Sequence, residues 1–149
     1  MADITLFVGS TLGATEYVAD RLAELLLAAG HQVQIVSQFQ DWQPSATTNR
    51  WWLICTATHG AGDLPDNIQP FAEYLASNKL DLRQQQFVVI GVGDSSYDTF
   101  CEAAKTLERL LEHHGAVNRL ERLEIDVQQH PIPEDRAEAW LPQLLAILD

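Results

Sequence analysis

The chain has 149 residues, of which 46% are hydrophobic and 20% charged, and a formal net charge of −12 at pH 7. This length suits one domain spanning 1–149. No apolar run approaches the ~20 residues needed to span a bilayer, and MADITLFVGS carries an acid where a secretory signal carries bases, so a cytoplasmic protein is expected. The acidity argues against nucleic acid or a membrane surface as a partner and for a basic protein surface. Cys55 and Cys101 stand in no CxxC or metal-ligand spacing, so neither a disulfide framework nor a metal site is indicated, and each reads as a small buried residue.

Apolar runs and helical patterns then alternate along the chain. ITLFVG (4–9) reads as a strand, followed by Val18, Leu22, Leu25, Leu26 and Ala29 on one helical face until Gly30. QVQIV (32–36) gives a second strand and WWLICTAT (51–58) a third. A glycine-rich loop leads to a shorter helix from about Asn67, where Pro70 fits only the first turn. FVVIGV (87–92) is the fourth strand, and Phe100, Ala104, Leu107, Leu111 and His114 mark a helix that stops at Gly115. LERLEIDV (120–127) reads as a more polar fifth strand, and Ala137–Leu148 as a last helix in which Pro142 implies a kink or a later start. Continuous apolar strands interleaved with helices predict a parallel sheet covered on both faces, a three-layer α/β/α sandwich. Ligands of such sheets bind beyond the carboxyl ends of the strands where the winding reverses, so the loops after strands one, three and four are the places to look.

The first of these, GSTLGAT (9–15), is neither GxGxxG nor a P-loop. Its backbone N–H groups at a helix N-terminus, with the hydroxyls of Ser10, Thr11 and Thr15 around them, suit an anion such as a phosphate monoester; an N-cap with solvent-facing hydroxyls explains the same residues. In the second, TATHGAGDLPDN (56–67), Gly60 and Gly62 free the backbone, including for a peptide that flips with ligand state, and Thr58, His59 and Ala61 lie beside them. His59 reads either as an aromatic platform or as an ordinary surface side chain. The third, GVGDSSYDTF (91–100), places Gly93, Asp94, Tyr97 and Phe100 between a buried strand and a helix. Periodicity demands no core role for Tyr97, and a planar heteroaromatic ring stacked on it would gain roughly 0.5–1.5 kcal/mol.

Taken together and in order, GSTLGATEYVA, THGAGDLPDN and GDSSYDTFC resemble the three flavin-binding segments of flavodoxins, the second especially in the form found in the FMN domains of diflavin reductases. The resemblance runs from Asp3 to the last helix. Chain length, the second loop and the ending PIPEDRAEAWL look most like the MioC-type short-chain flavodoxins. It implies a flavodoxin-like fold with a five-stranded parallel sheet in the order 2-1-3-4-5, and FMN as the cofactor. The phosphate would be held by Ser10, Thr11, Leu12, Gly13, Ala14 and Thr15, mostly through backbone N–H groups, with Leu12 and Ala14 less polar than is usual in the family. Tyr97 matches the tyrosine over the outer face of the flavin. His59 falls where many flavodoxins place tryptophan or tyrosine on the inner face, so weaker stacking is implied there. Gly60 matches the residue whose carbonyl turns toward the flavin N5 proton. Gly93, Asp94 and Cys101 match the segment at the pyrimidine edge, Cys101 through its backbone.

The implied function is electron transfer by a carrier with no substrate of its own. A separate flavodoxin or ferredoxin reductase would be the donor, and resemblance to the MioC type implies biotin synthase as one acceptor. Between Trp51 and Ala104 the acids Asp63, Asp66, Glu73, Asp81, Asp94, Asp98 and Glu102 outnumber Lys79 and Arg83. Such a field disfavours added negative charge on a flavin and attracts a basic partner. Two other classes fit less well. A phosphoacceptor receiver domain needs acids where this chain has Gly9–Ser10 and Thr56–Ala57. A stand-alone quinone or nitro-compound reductase on the same fold needs its own pyridine-nucleotide site, for which the sequence offers no motif.

Overall fold

The computed structural model describes residues 1–10, 13–43 and 50–148. Strand β1 (Asp3–Gly9) leads into helix α1 (Ala14–Ala28), followed by β2 (Gln32–Val36), β3 (Trp51–Ala57), a 3-10 turn (Asp66–Ile68) continuing into α2 (Gln69–Ser77), β4 (Gln86–Gly93), α3 (Glu102–His113), β5 (Val117–Asn118), β6 (Leu123–Asp126) and α4 (Pro133–Leu145). All strand pairings are parallel and the order is β2-β1-β3-β4-β5, with β6 also on β4. This is the predicted flavodoxin-like α/β sandwich.

The inner strands are apolar at most positions because both faces are covered, with Thr5, Thr56 and Gln86 as buried polar exceptions. Ile4, Leu6 and Val8 of β1, with Leu53 and Cys55 of β3 and Val88 and Ile90 of β4, pack under Val18, Leu22 and Leu26 of α1 and Trp140, Leu141 and Leu144 of α4. The alternate residues Phe7, Trp52, Ile54, Phe87 and Val89 meet Phe71 and Leu75 of α2 and Leu107 and Leu111 of α3. Burying each such side chain contributes about 1.5–3 kcal/mol. On this second face Phe39 and Trp42, from the segment after β2, join the aromatic cluster: Phe7 lies 4.9 Å from Phe71 and Trp42 lies 4.7 Å from Phe71, centroid to centroid.

Three details differ from the expectation. The fifth strand is two short pieces on one edge of β4, beginning at Val117 and resuming at Leu123. Between them the Asn118 side chain accepts the Leu120 N–H at 3.3 Å and turns the chain out of the ladder, while Arg122 is drawn to Glu108 (2.8 Å) and Glu124 (2.9 Å). The last helix starts at Pro133, a favourable first position with Glu134 and Asp135 behind it. Pro142 lies inside that helix; the carbonyl it leaves without a helical donor is that of Glu138, and both residues are exposed, where water serves instead.

Candidate functional site

The direction of winding reverses between β1 and β3, and the loops leaving β1, β3, β4 and β6 gather at that end of the sheet. They enclose a cleft of about 380 Å³ lined by residues of all four, among them Thr15, His59, Tyr97 and Val127. Of the residues predicted from sequence, Ala14, Thr15, Thr58, His59, Gly60, Gly93, Asp94, Tyr97, Phe100 and Cys101 line it. Ser10, Gly13, Ala61 and Gly62 are not among the lining residues, and Thr11 and Leu12 lie outside the described residues. Ala57, Val92, Thr99 and Val127 complete the lining and escaped the sequence reading.

At the α1 end, Gly13 (φ 90°) precedes the helix, and no side chain among the described residues caps it. The first helical N–H groups have no partner within the helix by geometry, and they carry the positive end of its dipole. Thr15 and Ser10 are buried, at 3% and 8% exposure, which rules out solvent-facing hydroxyls at these two positions. Ser10 Oγ has no hydrogen-bond partner among the described residues, although its backbone N–H donates to Asn67 Oδ1 at 3.0 Å. A buried orphan hydroxyl beside an uncapped helix N-terminus suits an anion.

The second loop is a tight hairpin. His59 and Asp63 exchange both backbone bonds, at 2.7 and 2.8 Å, and Gly60 (φ 52°) and Gly62 (φ 102°) make the turn in the left-handed region. Thr58 Oγ1 accepts the Ala103 N–H at 3.1 Å, so this loop supplies the cap that α3 lacks from its own sequence. Thr99 Oγ1 donates to the Gly60 carbonyl at 3.4 Å.

The third loop carries Tyr97, 65% exposed at the mouth of the cleft. His59 is also exposed there, so two aromatic rings stand free at the rim. Asp94 accepts the Ser96 N–H (2.9 Å) and hydroxyl (2.6 Å), which holds its carboxyl below the usual range. Cys101 takes a left-handed conformation (φ 54°) at the head of α3 and is fully buried; burial pushes its thiol up to about 12, and that of Cys55 likewise. Neither is a nucleophile at neutral pH.

A fourth segment, after β6, closes the cleft behind the third loop. Val127 donates to the Gly93 carbonyl at 2.9 Å, extending the ladder by one bond. Asp126, 8% exposed, accepts the N–H groups of Ser95 (3.1 Å) and Gln128 (3.0 Å), and its pKa is lowered chiefly by hydrogen bonding from the Ser95 side chain. Gln128 Nε2 donates to both oxygens of Asp94 at 3.1 Å. The signal for this segment was present in the sequence, since β6 also ends on the binding side.

The charges of the segment from Trp51 to Ala104 divide between the two ends of the sheet. Asp63 and Asp66 follow β3, and Asp94, Asp98 and Glu102 follow β4. Asp81, which pairs with Arg83 at 2.7 Å, and Lys79 instead precede β4 at the opposite end of the sheet. Glu102 is partly offset by Lys105 (3.9 Å) and Arg109 (3.6 Å). Among the described residues there is no cluster of His, Cys, Asp and Glu suited to a metal ion, and no helix is long and apolar enough to cross a membrane.

A parallel sheet of this order with a loop-built cleft at its switch point defines the flavodoxin-like class. The model of the flavodoxin family matches residues 6–140, and the chain belongs to that family. It is 46% identical to protein MioC of Escherichia coli K12 over 99% of both chains, and 34% identical to flavodoxin YqcA of the same organism over 96% of both. Among solved structures, the C101S mutant of flavodoxin from Pseudomonas aeruginosa superposes with a TM-score of 0.87 at 32% identity, covering 98% of each chain. The chain is thus a short-chain, MioC-like flavodoxin.

Proposed function

We propose that the cleft binds FMN and that the protein is a one-domain electron carrier of the cytoplasm, accepting electrons from a separate reductase and passing them to a separate acceptor. The observation that carries this reading is the polarity of the cleft. One end presents Ala14 and Thr15 at the N-terminus of α1, next to the strand end where the buried Ser10 hydroxyl has no partner among the described residues; the other presents the exposed rings of Tyr97 and His59. A flavin phosphate suits the first end and a planar ring the second. When bound, the flavin supplies the redox chemistry by taking up and releasing electrons.

In this reading Ser10, Gly13, Ala14 and Thr15, with Thr11 and Leu12 of the same segment, hold the phosphate. Tyr97 covers one face of the ring and His59 lies toward the other. Gly60, Gly93, Asp94 and Cys101 border its polar edges, and Thr58, Ala61, Gly62 and Phe100 shape the walls. The acids around the mouth favour a donor reductase and an acceptor with basic surfaces; biotin synthase, a radical enzyme that needs electrons, is the acceptor that the MioC likeness suggests.

Titrating the apoprotein with FMN and with riboflavin tests the cofactor. FMN is expected to bind much more tightly, and equal affinities would mean that the segment from Ser10 to Thr15 holds no phosphate. Mixing the FMN-loaded protein with NADPH tests the carrier role. The flavin should stay oxidised until a flavodoxin reductase is added, whereas fast, saturable bleaching by NADPH alone would make the protein an enzyme.

A further inference from the structure

The stretch 94–97 carries Tyr97 yet has little burial to hold it: Ser95, Ser96 and Tyr97 are all exposed. Its internal bonds, Tyr97 N–H to the Asp94 carbonyl (3.1 Å) and the Asp94 carboxylate to Ser96, shape the turn but do not fix it to the sheet. Among the described residues, the hydrogen bonds that tie 94–97 to a distant part of the chain come from Asp126 and Gln128. The two act as one unit, because Gln128 donates to both carboxylates, from its backbone N–H to Asp126 and from its side chain to Asp94.

We infer that Asp126 and Gln128 are positioning residues that pre-order the Asp94–Tyr97 loop for the flavin ring, an inference that rests on the flavin-binding reading above. Fixing a backbone residue costs roughly 1–2 kcal/mol in conformational entropy, and a loop already ordered in the free protein spares that cost when the ligand arrives. The clamp is placed for this purpose: it starts where β6 pairs Asp126 with Gly93, and Val127 between the two clamp residues itself lines the cleft.

The test uses Asp126→Ala, Asp126→Asn and Gln128→Ala in the full chain, reading flavin affinity by fluorescence titration of the apoprotein and backbone amide exchange at Ser95 and Ser96 without ligand. Asp126→Ala and Gln128→Ala should each speed exchange at these amides and weaken flavin binding about tenfold, as expected for losing hydrogen bonds to charged groups. FMN and riboflavin should weaken by the same factor, because the clamp serves the ring they share. Asp126→Asn keeps an acceptor oxygen for the Ser95 and Gln128 N–H groups and should restore most of the protection and affinity. Gln128 is exposed, so its variant carries the test if Asp126→Ala fails to fold. Unchanged exchange, or faster exchange with unchanged affinity, overturns the inference while native FMN binding stands. Native protein that binds no FMN overturns the function itself, and this inference with it.

Discussion

Asn67 Oδ1 accepts the Ser10 N–H at 3.0 Å, while its Nδ2 donates to the carbonyls of Val8 at 2.7 Å and Ser37 at 3.0 Å. One side chain from the loop after β3 thus fixes the exits of both β1 and β2, and with them the start of the segment that leads to α1. Asn67→Ala leaves these three backbone groups without their partner and should cost about 1–3 kcal/mol of stability, read as a lower urea midpoint. In the proposed function it should also weaken FMN more than riboflavin, since the disturbed segment is the phosphate end. A variant with native FMN preference would show that Ser10 is placed by β1 alone.

The two rim aromatics make unequal demands. The His59 backbone is closed on Asp63, whereas Tyr97 offers a larger ring on an exposed loop. Tyr97→Ala should weaken FMN by several-fold, from lost stacking of roughly 0.5–1.5 kcal/mol and lost contact area, and should release quenched flavin fluorescence. His59→Ala should do less. If His59→Ala proves the more damaging, the assignment of the two faces is reversed.

Much of the fold was legible because β1, β3 and β4 are buried on both faces, which forces unbroken apolar runs that no surface strand needs. The cleft was legible for the same reason: the loops that leave such strands are polar and glycine-rich against an apolar background. What escaped depends on single side chains acting across long separations. The break in the fifth strand hangs on the Asn118 carboxamide and on the pairing of Arg122 with Glu108, neither of which leaves a periodic trace. Phe39 and Trp42 belong to the aromatic core though they stand outside any regular element. Asp126 reads as part of a polar fifth strand and Gln128 falls just beyond it, and their bonds to Ser95 and Asp94 show how this segment joins the third loop.

Both cysteines sit where burial holds the thiol near a pKa of about 12. Their ordinary value is about 8.5, so at pH 8 an accessible thiol would be alkylated readily and these should not. Iodoacetamide followed by mass spectrometry should find Cys55 and Cys101 unmodified in the folded protein and both modified in urea. Cys55, enclosed between β3 and α1 with its Sγ directed to the Thr15 carbonyl at 3.9 Å, should resist longest as urea rises. Rapid labelling of Cys101 in the native state would mean that the head of α3 opens far more often than its packing implies.

The last prediction concerns docking at the mouth of the cleft, where Asp63, Asp66, Asp94 and Asp98 stand without an ion-pair partner among the described residues and Lys79, Arg83 and Asp81 lie at the far end of the sheet. Attraction between exposed charges reaches about 10 Å at 0.1 M salt and shortens as salt rises, so association with a basic reductase should slow with ionic strength while the affinity of bound FMN changes far less. The measurement is the second-order rate of reduction by a flavodoxin reductase over a salt series, for the native protein and for Asp63→Asn, Asp66→Asn and Asp98→Asn. These three residues are chosen because Asp94 also serves the loop clamp, and neutralising it would mix docking with loop order. Each neutralised variant should begin slower and show a shallower salt dependence. An initial rise at low salt fits the same field, since overly strong attraction traps misoriented encounters before it favours the productive one. Identical rates and slopes for native protein and variants across the series would show that the acidic rim serves solubility and plays no part in choosing a partner.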